Sequence, residues 1–224
     1  SSSHSVATNS SMGNSIGKSK TKSIEERDVV VFLVGPAGAG KSTLMDVLDK
    51  DGRATRNPQS LDPSTKEVQA WTYRFERIQH NIVLVDTPSF LTGVPGFDAE
   101  GIMRKWIQLS KFAEKCHDSR ILYLHNLAGN PEEQGLMMQE HLDTFANAFP
   151  QKRGVPSLVY VVPTIDKGLK PGSEMAERNF SKLETAVKSL SPKWSVSMFP
   201  VRFRDEPEIA CSAIRNLLQD ITIA

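Results

Sequence analysis

Nine consecutive residues, Gly35, Pro36, Ala37, Gly38, Ala39, Gly40, Lys41, Ser42 and Thr43, carry the densest chemistry in this sequence. The first eight satisfy the spacing G-x-x-x-x-G-K-[ST] at every fixed position. Glycines at these points let backbone N–H groups turn inward around phosphate oxygens, and a helix opened by such a loop adds partial positive charge at its N-terminus. Lys41 would reach the β- and γ-phosphates of a nucleoside triphosphate, and the Ser42 hydroxyl would ligate Mg²⁺. The chemistry expected here is nucleotide binding.

Three other places could complete such a site. The apolar run Ile82-Val83-Leu84-Val85 delivers Asp86 to a strand end, followed by Thr87, Pro88 and Ser89. A carboxylate there can hold a Mg²⁺ hydration shell through water, and the backbone N–H near Ser89 can sense a γ-phosphate. Thr65, in Ser64-Thr65-Lys66-Glu67 just ahead of a strand, is the candidate for a second Mg²⁺ hydroxyl; a solvated loop threonine is the alternative. Lys41, Thr65 and Asp86 make up the candidate catalytic set. Asp166, with Lys167 beside it, ends the run Leu158 to Ile165. Its carboxylate can accept from the N1–H and 2-amino groups of guanine, a donor pair that adenine lacks; an aspartate opening a turn before Gly168 is the alternative. Arg202 and Phe203 could pack on a base, although an exposed arginine and a core phenylalanine fit equally well.

These residues need a scaffold that brings strand ends together. Asp28 to Val34 reads as a buried strand, followed by a helix from about Gly40 to Leu48. Residues 51–64 read as a polar loop. Two strands, Glu67 to Arg77 and Asn81 to Asp86, are parted by only three residues, which forces an antiparallel pair. A helical pattern follows Pro95, with Met103, Trp106, Ile107, Ser110 and Ala113 at spacings of three and four. Strands at 121–125, 157–162 and 196–200 alternate with helices at 132–149 and 174–190, and the chain closes on an amphipathic helix through Ile209, Ile214 and Ile221. Such alternation predicts an α/β fold with a mostly parallel six-stranded sheet and one antiparallel hairpin.

Composition narrows the class further. The 224 residues carry 27 basic and 26 acidic side chains, a net charge of +1, so no global field points to nucleic acid. The two cysteines, Cys116 and Cys211, exclude a disulfide scaffold and suit a reducing cytoplasm. Residues 29–34 form the longest apolar run, far short of the roughly 20 residues that span a bilayer. Residues 1–23 hold nine serines, three lysines and no acid, which predicts a disordered Ser/Lys-rich leader over 1–27 ahead of a single domain at 28–224. Within it, Met12 to Lys18 forms an imperfect myristoylation context, so peripheral membrane contact through a lipid or the basic tail is the one membrane expectation.

With the phosphate loop, Thr65, Asp86-Thr87-Pro88 and Asp166 in this order, residues 28–221 resemble the G domain of P-loop GTPases. Gly40-Lys41-Ser42-Thr43, Val85-Asp86-Thr87-Pro88 and Ile121-Leu122-Tyr123-Leu124-His125-Asn126 resemble most the septin-like and immunity-associated (GIMAP-like) kind found in fungi. The resemblance implies a three-layer P-loop NTPase fold, binding of GTP and GDP with Mg²⁺, slow intrinsic hydrolysis, and nucleotide-dependent homodimerisation. It also exposes departures. The usual Asn-Lys-x-Asp motif would place its first two residues at Pro163 and Thr164, so Asp166 alone would read guanine. Ser89 stands where the family's Asp-x-x-Gly has glycine, and Phe90 follows where several GTPases carry a water-orienting glutamine. Groups that could act across a dimer are His125 and Arg104. Two rivals remain: a pseudo-GTPase that binds nucleotide without cycling, and an ATP-dependent small-molecule kinase, which would carry an arginine-rich lid that the sequence does not display.

Overall fold

The computed structural model describes residues 28–51, 54–56, 68–75, 78, 80–90, 95–116, 118–128, 131–150, 154–165 and 168–221. The leader at 1–27, Thr65, Asp166 and Lys167 lie outside these residues. Thirteen elements follow one another: β1 Asp28–Val34, α1 Lys41–Asp51, β2 Ala54–Arg56, β3 Gln69–Phe75, β4 Asn81–Asp86, α2 Ala99–Leu109, α3 Phe112–Lys115, β5 Asp118–Asn126, α4 Pro131–Asn147, β6 Leu158–Thr164, α5 Glu174–Lys188, β7 Ser195–Met198 and α6 Pro207–Leu217.

The sheet runs β2-β3-β4-β1-β5-β6-β7. All six expected strands form, and β1, β4, β5, β6 and β7 are parallel. The expected antiparallel pair is β3 with β4. One short strand was not anticipated: β2 pairs antiparallel with β3 at the sheet edge, inside the stretch read as loop. Three residues bounded by polar ones leave too little alternation to register as a strand.

β1 is central, and every one of its residues is buried. Its side chains alternate between two cores, as the period of two requires. Val30, Phe32 and Val34 face one layer, with Met103 and Trp106 of α2, Phe145 of α4 and Leu183 of α5. Val29, Val31 and Leu33 face the other, with Leu44 and Leu48 of α1 and Ile214 of α6. The Phe32 ring meets Phe145 edge-on at 5.1 Å and Phe112 at 5.3 Å, the offset geometry that aromatic quadrupoles favour. Helices on both faces of a mostly parallel sheet make the three-layer fold.

Two polar features lie within these cores. Arg120, on β5, has a side chain only 5% exposed, and it bonds Asp118, Asp220 and the carbonyl oxygen of Leu217. It ties the start of β5 to the end of α6. Behind the phosphate loop, the Tyr123 hydroxyl lies 2.8 Å from Nδ1 of a fully buried His141. Burial first, and then the charges of Lys41 and His125, push His141 from the ordinary 6.5 down to about 4. Between these values the unfolded chain binds the extra proton, so stability rises with pH across this window and is lost as pH falls through 4. At ~1.4 kcal/mol per pH unit the span is worth about 3 kcal/mol. The urea midpoint of the wild type should therefore drop between pH 7 and pH 4.5 more steeply than that of His141→Gln, which keeps an acceptor for Tyr123. Parallel pH profiles would refute the assignment.

Candidate functional site

The ends of β1, β4, β5 and β6 converge on one edge of the sheet, where parallel strands leave their crevice. The loop from Gly35 to Gly40 leaves β1 here and turns into α1, with Leu44 N–H already donating to Gly40 O at 2.9 Å. Gly35 is required by close approach: a Cβ there would stand 2.4 Å from the backbone oxygen of Leu124 on β5. Gly40 takes a φ of +93°, which L side chains rarely adopt.

Lys41 folds back across this loop. Its Nζ donates to Gly35 O at 2.9 Å and to Pro36 O at 3.1 Å. Burial lowers its pKa, and the charge of Asp86 works against that shift. Asp86 is the mirror case: burial raises its pKa, while Lys41 and the Ser42 hydroxyl oppose the rise. Ser42 Oγ donates to Asp86 Oδ2 at 3.2 Å. The structure thus brings together Lys41, Ser42 and Asp86, three residues that the spacing singled out.

They border a cavity of about 340 Å³ lined by Gly38 to Thr43, Gln69, Asp86, Thr87, Pro88 and Ser89. Asp86 Oδ1 is buried there without a hydrogen-bond partner. That orphan oxygen, beside the Ser42 hydroxyl, suits a hydrated Mg²⁺, which takes hard oxygen ligands and usually keeps several waters. The residues present fit the ion.

A second cleft of about 190 Å³ opens on the other side of the loop, lined by Gly38, Ala39, Gly40 and Thr43 together with Asn126, Thr164, Ile165, Phe203, Arg204 and Asp205. Thr164 Oγ1 donates to Ala39 O at 2.9 Å and Asn126 Nδ2 to Gly38 O at 3.5 Å, so both brace the phosphate loop from neighbouring strands. Sequence reasoning singled out neither as a brace. Ile165, the residue before Asp166, lines this cleft. Phe203 lines it as well, fully buried, whereas Arg202 is turned to Glu177 and the Phe180 ring and does not.

His125 is a correction. It is 3% exposed on β5, so it cannot reach across a dimer face from this position. A strand-end residue of the central sheet is covered by the helix layer, which spacing alone does not reveal. Arg104 lies on the exposed side of α2, paired with Glu100 and donating to Asn147 O, away from both cavities. Phe90 is 9% exposed with its ring 5.9 Å from that of Phe145, inside the core. The signal missed for Gln69 was its register: it faces Asp86 across the β3–β4 pair.

The sequence profile described as "50S ribosome-binding GTPase" matches residues 30–162. No curated protein matches the chain by sequence. Among solved structures, a variant of SsGBP is similar over 89% of this chain and 56% of its own, with a TM-score of 0.51 at 14% identity. A bacterial selenocysteine-specific elongation factor, EF-Sec, is similar over 89% of this chain and 29% of its own, with a TM-score of 0.53 at 15% identity. The chain therefore spans about half of the first of these proteins and under a third of the second. At such identities the likeness speaks for the fold.

Proposed function

The chain belongs to the 50S ribosome-binding GTPase family, and from that premise we propose that it binds GTP with Mg²⁺, hydrolyses it slowly to GDP, and uses the two states as a dimerisation or signalling switch. It is a GTP-binding P-loop GTPase domain, and membership in this family sets aside the small-molecule kinase. The observation that carries the finer reading is Lys41 held across the Gly35 and Pro36 carbonyls, beside the Ser42–Asp86 pair, at the mouth of the 340 Å³ cavity.

In this reading the backbone N–H groups of residues 37–43 cradle the phosphates, and Lys41 exchanges its two carbonyl partners for β- and γ-phosphate oxygens. Ser42, Asp86 and Thr65 would hold Mg²⁺. When bound, the ion neutralises charge on the β- and γ-phosphates. Asp166 reads the N1–H and 2-amino edge of guanine, with Lys167 next to it in the sequence. Phe90 is spent in the core, which supports slow intrinsic turnover. The Leu122-Tyr123-Leu124-His125 strand supports a place near the septin-like and immunity-associated GTPases, a resemblance that implies nucleotide-dependent dimerisation. A ribosomal partner, which the family's description names, finds no excess of basic charge here: the net charge is +1. Among the described residues no helix is long and apolar enough to cross a membrane.

Calorimetric titration of nucleotide-free protein with GDP and with ADP, each with Mg²⁺, tests the reading. Micromolar or tighter GDP binding with at least ~30-fold weaker ADP binding is expected, since a lost pair of base hydrogen bonds costs about 2 kcal/mol or more. Equal affinity would remove Asp166 from its role.

A further inference from the structure

The phosphate cavity is bordered by two residues that each keep a buried side-chain oxygen without a hydrogen-bond partner, Asp86 Oδ1 and Ser89 Oγ. The carboxylate oxygen is accounted for by a hydrated cation. The hydroxyl is not. A buried polar group left unpaired is destabilising, and alanine or glycine at position 89 would remove the defect.

The neighbours of Ser89 are committed elsewhere. The Thr87 hydroxyl donates to Leu33 O at 2.7 Å. Pro88 has neither an N–H nor a polar side chain. Phe90 is packed against Phe145. Of the three residues that leave β4 along the cavity, Ser89 alone holds a side-chain donor and acceptor with no partner among the described residues.

We propose that the Ser89 hydroxyl positions the water that attacks the γ-phosphate, an inference that rests on the GTPase reading above. A hydroxyl offers one donor and two lone pairs, so it can donate to a γ-phosphate oxygen and accept from the water together. Hydrolysis forms a bond between the water oxygen and the γ-phosphorus and breaks the bond from that phosphorus to the β,γ-bridging oxygen. The electron pair of the broken bond leaves with GDP, and the water proton goes to the released phosphate. Ser89 neither gains nor loses a proton overall and forms no covalent bond. Its contribution is orientation, holding the nucleophile in line, where small misplacements cost large factors in rate. Gln69 is another neutral polar side chain on the cavity wall, opposite Asp86, and serves as the comparison.

The test is single-turnover GTP hydrolysis by the full chain, with affinities for GDP and a non-hydrolysable GTP analogue measured in parallel. Ser89→Ala and Ser89→Gly should each slow hydrolysis about tenfold or more, weaken the analogue, and leave GDP affinity within about twofold, since GDP lacks the group that Ser89 contacts. Ser89→Thr, which keeps the hydroxyl, should recover part of the rate. Wild-type rates in both variants would overturn the inference. So would an equal loss of GDP affinity, which would make Ser89 a structural residue, or a loss that appears in Gln69→Ala instead. Unchanged rates in the variants of a wild type that hydrolyses GTP overturn the inference alone, a wild type that binds GDP but releases no phosphate overturns it together with the hydrolysis proposed above, and one that binds no GDP overturns the whole reading beneath it.

Discussion

Replacing Lys41 by alanine should weaken GTP binding about 10²–10³-fold, on the order of 3–4 kcal/mol, while the domain stays folded. The ammonium group is largely out of water, and its two hydrogen bonds go to the loop's own carbonyls at 2.9 and 3.1 Å. Burial depresses its pKa, so the protein holds a partly desolvated cation whose countercharge is Asp86. Such a group gains from a phosphate oxygen what it cannot gain from neutral carbonyls, because charge-assisted bonds are about twice as strong as neutral ones. Lys41→Met keeps most of the aliphatic stem and should lose nearly as much affinity, which separates charge from packing. Lys41→Arg should not rescue, since a planar guanidinium does not fit a seat built for a compact ammonium. Titration of a fluorescent GTP analogue reads all three, and an affinity within threefold of wild type in Lys41→Ala would refute the role. Without the lysine, Asp86 loses the attraction that opposes its burial, so its carboxyl should rise further.

The largest stability loss is expected at Arg120, far from the nucleotide. Its guanidinium, 5% exposed, meets Asp118 Oδ2 at 2.8 Å, Asp220 Oδ2 at 3.0 Å and the Leu217 carbonyl. Leu217 ends α6, so that carbonyl has no acceptor role inside its own helix. Arg120→Ala removes the donor, opens a cavity and leaves Leu217 O unpaired, which together should cost about 3 kcal/mol. For a domain of this size that corresponds to a fall of roughly 6–12 °C in Tm. Asp220→Asn is the counter-case. The Asp220 side chain is 62% exposed, and solvent screening limits an exposed pair to about 1 kcal/mol or less. Heat denaturation of the two variants should therefore separate clearly. Equal shifts would mean that the ion pair, rather than the buried guanidinium and its carbonyl contact, sets the cost.

Much of the fold was legible because its signals are local. The apolar run at 29–34 announces a strand buried on both faces, and the five residues between β3 and β4 permit only an antiparallel return. Helices α2 and α6 show their apolar faces at spacings of three and four. The three-residue strand β2 escaped because it is too short to show a period, and it is held by pairing with Thr55 opposite Arg74 rather than by its own composition. At the site, Lys41, Ser42 and Asp86 were legible from motif and strand end. His125 was misjudged because the same strand end that reaches the phosphate edge also lies under a helix.

By itself, the sequence determined the phosphate loop, the order of the strands and helices other than β2, and hence the GTPase class, since each follows from spacings of a few residues along one stretch of chain. Only the tertiary structure decided what surrounds that loop. Thr164 braces Ala39 across 125 residues of sequence, Gly35 is pressed against the backbone of Leu124, Phe90 turns into the aromatic core, and the Ser89 hydroxyl is left buried without a protein partner. The physical reason is common to all four. Each depends on the three-dimensional meeting of strand ends and helix faces, where steric fit and hydrogen-bond satisfaction are settled between segments that carry no mark of one another.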